Sequence, residues 1–166
     1  MGIVVSLNQN QFMKLPVKIW ISLGIFFFSC EVFAQESTSS HKDSLNSVVN
    51  EYYKLSLKIY QEGSTVDDID DIFELFTDDF TYVHPKYGGT YTRQDLYNGY
   101  KRNQKNGMYN GSIIDIKVVK RIAGLNAVVV ERKLVIKEND KIVDDEGRMT
   151  LFEFKEGKIV RIFEYW

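Results

Sequence analysis

A histidine at the end of an alternating aromatic run is the residue best placed to do chemistry in this chain. In Leu75–Tyr100, LFTDDFTYVHPKYGGTYTRQDLYNGY, Phe80, Tyr82 and His84 alternate with Thr81 and Val83. Alternate side chains of a strand share a face, so these three point the same way. Pro85 ends the ladder because it has no N–H to donate. His84 is thereby set at a strand end among tyrosines. An imidazole titrates near neutrality, which suits a general base. The plainer alternative is a core histidine bonded to a tyrosine or a backbone carbonyl. The surrounding Tyr60, Tyr82, Tyr87, Tyr91, Tyr97 and Tyr100 equally read as core aromatics with satisfied hydroxyls.

Other chemistries lack their residues. The second histidine, His41, lies in a polar, Ser-rich stretch, and Cys30 is the one cysteine. No metal-ligand cluster of the usual spacing is present, and no metal or cofactor is expected. No nucleophile elbow, phosphate loop or dinucleotide fingerprint occurs. Asp67, Asp68, Asp70 and Asp71 lack the glycine and terminal glutamate of a calcium loop and read as helix-capping carboxylates. A net charge of −2 argues against a nucleic-acid partner. Aromatic content of 14%, with ten Tyr and eleven Phe, suits a packed core with hydroxyls to spare.

The N-terminus reads as a secretory signal peptide, residues 1–34. Lys14 and Lys18 precede the apolar run Ile19–Phe28, and Val32-Phe33-Ala34 supplies small residues for cleavage after Ala34. The start is either Met1 or Met13. The apolar run is short for a membrane span, so no span is expected once the signal is removed. Acylation at Cys30, giving a lipoprotein, is the alternative. Export to the periplasm or outside the cell follows from either. Residues 35–43 read as a flexible leader, leaving one domain, 44–166. About 130 residues without disulfides are enough for one hydrophobic core.

The elements that must position His84 follow from periodicity. Asp43 or Ser44 caps a helix over Leu45–Tyr60, and Gly63 stops it. Ser64 or Thr65 caps a second helix, Val66–Phe76. After the His84 strand, Gly88-Gly89 turns the chain into a short strand, Thr90–Thr92, and Thr92 caps a third helix, Arg93–Gln104. From Ser112 the period changes to two. Four strands are expected, Ser112–Arg121, Ala127–Glu138, Arg148–Lys155 and Ile159–Trp166, joined by hairpin turns. Helices first and a long meander after is an α+β pattern. Both sheet faces are fairly apolar, so a second subunit over the outer face, a homodimer, is expected. In the long strand the more apolar inward set is Val130, Arg132 and Leu134, which brings Arg132 inside, where a Glu should pair with it; the alternative is a solvent-facing charge on a half-exposed sheet.

In this order the chain resembles the nuclear-transport-factor-2-like superfamily, which includes the SnoaL-like and ketosteroid isomerase families. The motifs are FTDDFTYVHP, with its D-D and following Pro85, and the final GKIVRIFEYW. The resemblance covers Leu45–Trp166. It implies a cone-shaped, curved antiparallel sheet wrapped around three N-terminal helices over an apolar pocket. It also implies that Arg148, Thr150 and Phe152 on one strand, and Ile162, Glu164 and Trp166 on the last, face inward. By alignment on TYVHP, His84 falls where ketosteroid isomerases hold a carboxylate base, and Tyr60 on their oxyanion-donating tyrosine. Thr150 falls on their protonated Asp, and Trp166 on a pocket-lining tryptophan. Two of those three catalytic positions differ in type, which points away from steroid isomerisation.

Three functions are consistent with this reading. One is an exported protein binding a small apolar or amphipathic ligand, with Tyr82, Arg132, Arg148, Thr150, Phe152 and Trp166 lining the site. The second is a cofactor-free lyase or isomerase, with His84 as base, Tyr60 as hydrogen-bond donor and Glu164 orienting the histidine. The third is an accessory domain that associates through its outer sheet face.

Overall fold

The computed structural model describes the backbone of residues 17–139 and 141–166, and side chains from Thr38 onward. It divides into two units, Met1–Thr38 and Ser39–Trp166. Met1, Met13 and the side chains of Cys30 and Ala34 lie outside the described residues, and with them the cleavage and acylation readings. No helix among the described residues is long and apolar enough to cross a membrane.

The first helix, α1, spans Val17–Ile59. The backbone is thus already helical across 35–44, where a leader and a cap at Asp43 or Ser44 were expected. No glycine or proline interrupts the sequence from Ile25 to Glu62, so nothing local stops the helix. Ser47 Oγ donates to the Asp43 carbonyl at 2.9 Å, a bond within the helix rather than a cap. In the second unit α1 buries Leu45, Val49, Tyr52, Leu55 and Ile59 on one side, the stripe that a 3.6-residue period demands.

Helix α2 is Val66–Phe73, shorter than expected. At its start the Thr65 N–H and hydroxyl both donate to Asp68 Oδ2, at 2.6 and 3.1 Å. Lys58 Nζ meets Asp68 Oδ1 at 2.6 Å and Asp71 Oδ2 at 3.2 Å. The acidic run is therefore held by a cap and a lysine. Helix α2 ends early because Ile159 N–H donates to the Leu75 carbonyl at 2.9 Å, which draws Phe76 into the sheet.

Strand β1 is Phe76–His84, followed by a 3-10 turn, Pro85–Tyr87, and β2, Gly89–Thr92. Helix α3, Arg93–Lys105, opens with a capping box. Asp95 N–H donates to Thr92 Oγ1 at 3.2 Å, and Thr92 N–H to Asp95 Oδ2 at 3.0 Å. Strands β3 (Ile113–Ala123), β4 (Ala127–Glu138), β5 (Lys141–Asp144), β6 (Arg148–Lys155) and β7 (Lys158–Tyr165) complete the fold. Strand β5 lies where only a turn was expected.

The sheet order is β2-β1-β7-β6-β4-β3, with β5 beside β4. It is curved and open, and it is mixed rather than wholly antiparallel, because β1 and β7 run parallel, Tyr82 beside Ile162 and Val83 beside Phe163. A residue looped out between Phe154's and Glu153's partners turns both Ile159 and Ile162 inward. The core joins Val49, Tyr52 and Ile59 of α1 to Ile69 and Phe73 of α2, and to Phe80, Val130, Phe152 and Ile162 of the sheet. Phe76 and Phe80 stack with centroids 4.1 Å apart across the Asp78-Asp79 irregularity of β1.

Candidate functional site

The inward faces of three strands meet at one end of the sheet. Arg132 on β4 is in register with Arg148 on β6, and Thr150 on β6 with Glu164 on β7. On the parallel neighbour, Val83 pairs with Phe163, so His84 and Glu164 are the next residues along adjacent strands. Strand alternation thus delivers two guanidinium groups, a carboxylate and an imidazole to one neighbourhood.

Glu164 is the hub. It is 3% exposed, and its Oε2 accepts from Thr150 Oγ1 and from Trp166 Nε1, each at 2.7 Å. Its Oε1 lies 3.8 Å from Arg132 Nη2. The Trp166 ring also carries the Arg148 guanidinium, whose Cζ sits 3.9 Å from the ring centroid. Arg148 ion-pairs with Asp145. The two register-paired arginines are each given their own carboxylate, which is how the like charges coexist.

His84 is 1% exposed, and neither ring nitrogen has a hydrogen-bond partner among the described residues. Its ring packs edge-on against Trp166 at 4.5 Å and beside Tyr87 at 4.3 Å. Burial lowers its pKa below the usual value; Glu164 opposes that shift, while Lys86 and Arg148 reinforce it. The imidazole is therefore mainly neutral at pH 7, with one donor and one acceptor nitrogen. Arg132 Nη1 is likewise buried and without a partner.

These groups line a cavity of about 390 Å³ whose wall includes Tyr60, Tyr82, His84, Arg132, Glu164 and Trp166. Tyr60 and His84 border the same space. Burial raises the pKa of Tyr60, with Arg132 and Arg148 pulling it back, and raises that of Tyr82 strongly. Both phenols stay protonated donors at neutral pH. Where an apolar lining was expected, the wall is aromatic with polar tips and charged groups.

Arg148 joins this lining as expected. Thr150 and Phe152 do not. Both are fully buried behind the wall. Thr150 spends its hydroxyl on Glu164, and Phe152 packs edge-on between Tyr52 and Tyr53 of α1. One wall escaped the sequence reading. Leu96, Gly99, Tyr100 and Asn103 of α3 also line the cavity. Their i, i+3, i+4, i+7 spacing is the signal that would have found them. Tyr97 lies off that face and donates to Asp70 Oδ1 at 2.7 Å. Among the described residues no group of three or more His, Cys, Asp or Glu could hold a metal ion.

Solved structures share this architecture. An NTF-2 like protein of unknown function from Burkholderia xenovorans LB400 superposes with a TM-score of 0.52 over 75% of this chain and 84% of its own, at 17% identity. The chain has the nuclear-transport-factor-2-like fold. A putative ketosteroid isomerase from Kribbella flavida DSM 17836 matches this chain with a TM-score of 0.51, over 75% of it and 78% of the Kribbella protein, at 15% identity. A ketosteroid isomerase-like fold from Catenulispora acidiphila DSM 44928, in complex with trimethylamine, matches with a TM-score of 0.50, over 72% and 84%, at 18% identity. No family model and no curated protein matches the sequence.

Proposed function

We propose that this protein is exported and binds a small molecule in the cavity at the end of the sheet. The observation that carries this reading is the set of buried polar atoms left over there, both nitrogens of His84 and Nη1 of Arg132. An unmade hydrogen bond at a buried group costs about 1–3 kcal/mol. An occupant that supplies the missing partners recovers that cost. The volume falls within the range of about 300–1,000 Å³ usual for ligand pockets. The Catenulispora protein of the same fold holds a small molecule. The signal-peptide pattern before residue 35 supports export. Native mass spectrometry of the protein purified from its own cells, without a refolding step, is the test. A carried-through adduct that a His84→Gln variant releases is expected. A clean apo mass together with unchanged calorimetric behaviour in extracts of those cells would sink the reading.

A second reading has its own observation. A buried, neutral imidazole with an unoccupied nitrogen, facing the same space as the Tyr60 phenol, is equipped to move a proton. Here His84 takes the proton and Tyr60 donates to the developing oxyanion; Glu164, expected to orient the histidine, instead accepts from Thr150 and Trp166 and makes no bond to the imidazole. Solvent deuterium incorporation into a bound ligand, lost in His84→Gln, would support it; incorporation at equal rate in that variant would remove it.

Association through the outer sheet face also belongs to this reading. Ile122, Val129, Leu151, Phe163 and Val83 form one continuous cross-strand row on that face, and Ile122 is 72% exposed. A dimer should appear in sedimentation at micromolar concentration, and an Ile122→Lys, Leu151→Lys variant should be monomeric. A monomeric parent protein would end this part.

A further inference from the structure

The hydrogen-bonding capacity of the cavity is not symmetrical in charge. Its wall carries two carboxylates, Glu164 and Asp95. Glu164 accepts twice on Oε2 and faces Arg132 on Oε1. Asp95 Oδ2 accepts from the Thr92 hydroxyl at 2.6 Å and the Thr92 N–H at 3.0 Å. Glu164 is therefore engaged on both oxygens, and exposed Asp95 on one. The leftover capacity lies on the other side of the ledger. Arg132 is 9% exposed, and only its Nη2 faces a carboxylate, while Nη1 meets no partner. His84, 1% exposed, has two vacant nitrogens. Both lie against the same indole: His84 at 4.5 Å, Arg132 Cζ at 6.0 Å from the Trp166 ring. One vacant donor from Arg132 and one from His84 thus lie beside the same aromatic plate, with the acceptor nitrogen of His84 next to them.

Resting on the binding function above, we propose that the occupant is a small ring-bearing carboxylate. Its carboxylate accepts from Arg132 Nη1 and from the protonated nitrogen of His84, and its ring lies among Tyr60, Tyr82 and Trp166. A guanidinium with one free amine gives a charge-assisted bond, the strong kind. A cationic ligand would find aromatic faces here, but the buried carboxylate, Glu164, is committed to Thr150, Trp166 and Arg132. Asp95 lies at the exposed rim, and Arg132 and Arg148 carry like charge into the same wall. A neutral amide or ketone would accept the same bonds without the charge assistance. The volume of about 390 Å³ is at the low end for ligand pockets, which favours one or two rings over a fused four-ring skeleton.

Calorimetric titration of the full purified protein decides this, with benzoate and 2-naphthoate as probes. Benzamide and 2-naphthamide are the neutral matches, and benzyltrimethylammonium is the cationic one. The carboxylates should bind at least tenfold tighter than their amides, and the ammonium should give no saturable heat. An Arg132→Gln variant should lose at least tenfold in carboxylate affinity while amide affinity moves less than threefold. Because that change strands Glu164, His84→Asn serves as the second variant, with circular dichroism checking its fold, and should also weaken the carboxylates. Amides or the ammonium binding as tightly as the carboxylates would overturn the proposal and leave cavity binding intact. A carboxylate affinity unchanged in both variants would overturn it too. If none of the probes binds, the proposal falls, while the binding reading stands or falls on the native mass measurement.

Discussion

Replacing Glu164 by glutamine isolates the charge at the hub of the site. The amide keeps an oxygen for the Thr150 hydroxyl and the Trp166 N–H, both now at 2.7 Å from Glu164 Oε2. What it removes is the negative charge 3.8 Å from Arg132 Nη2. Arg132 is then a buried guanidinium with no counter-charge, and removing one partner of such a pair costs about 3–5 kcal/mol. The separation exceeds hydrogen-bond range, so the lower end applies, about 3 kcal/mol. For a domain of this size that is a fall in Tm of about 10 °C. Arg132→Met should cost less, because two charge-assisted hydrogen bonds still hold Glu164. The double variant removes the stranded cation and should be more stable than E164Q alone. A double-mutant cycle by urea unfolding at pH 7 should give a coupling of at least about 1 kcal/mol. Additive single effects, or an E164Q cost below that of R132M, would refute the reasoning.

Burial holds the His84 pKa below its unfolded value near 6.5, so the unfolded chain takes up a proton first as the pH falls. The contribution of His84 is therefore complete above about pH 6.5 and declines below it, with a slope of at most about 1.4 kcal/mol per pH unit for one proton. The stability difference between the parent protein and His84→Gln, measured by urea unfolding from pH 7.5 to 5.5, should narrow on acidification; a widening difference would contradict the sign. Thr92→Ala removes one half of the α3 capping box and should cost about 1 kcal/mol, read as a shift in the urea midpoint at constant slope. Phe152→Ala empties a fully buried site against Tyr52 and Tyr53. It should cost about 3–5 kcal/mol without changing ligand specificity, since Phe152 lies behind the cavity wall.

Some of the molecule was legible because its pattern is unambiguous. Alternation through Val128, Val130, Arg132 and Leu134 placed β4 at its observed bounds and set Arg132 inside. The end of α2 was not legible, because Ile69, Ile72, Phe73 and Phe76 fit a helical stripe as well as they fit the start of a strand. Only the pairing with β7 decides between them. Strand β5 is exposed at all four residues, so it carries no burial signal, and its pairing with β4 is a tertiary fact. The parallel contact of β1 and β7 is of the same kind. At the site, the face shared by Tyr82 and His84 was readable from spacing. The roles of Thr150 and Phe152 were not, because both share the inward face with Arg148, and depth below a surface has no local pattern. The α3 wall has a helical spacing, but a tyrosine such as Tyr100 on that face fits core packing equally well.

The last strand lies in the middle of the sheet, between β1 and β6. Thr81 and Arg161 touch across 80 residues of sequence. Strand β7 is therefore synthesised after every other strand of the sheet. Without β7 the facing edges of β1 and β6 are unpaired and Glu164 is missing from the hollow. Contacts this distant in sequence also make spontaneous closure slow.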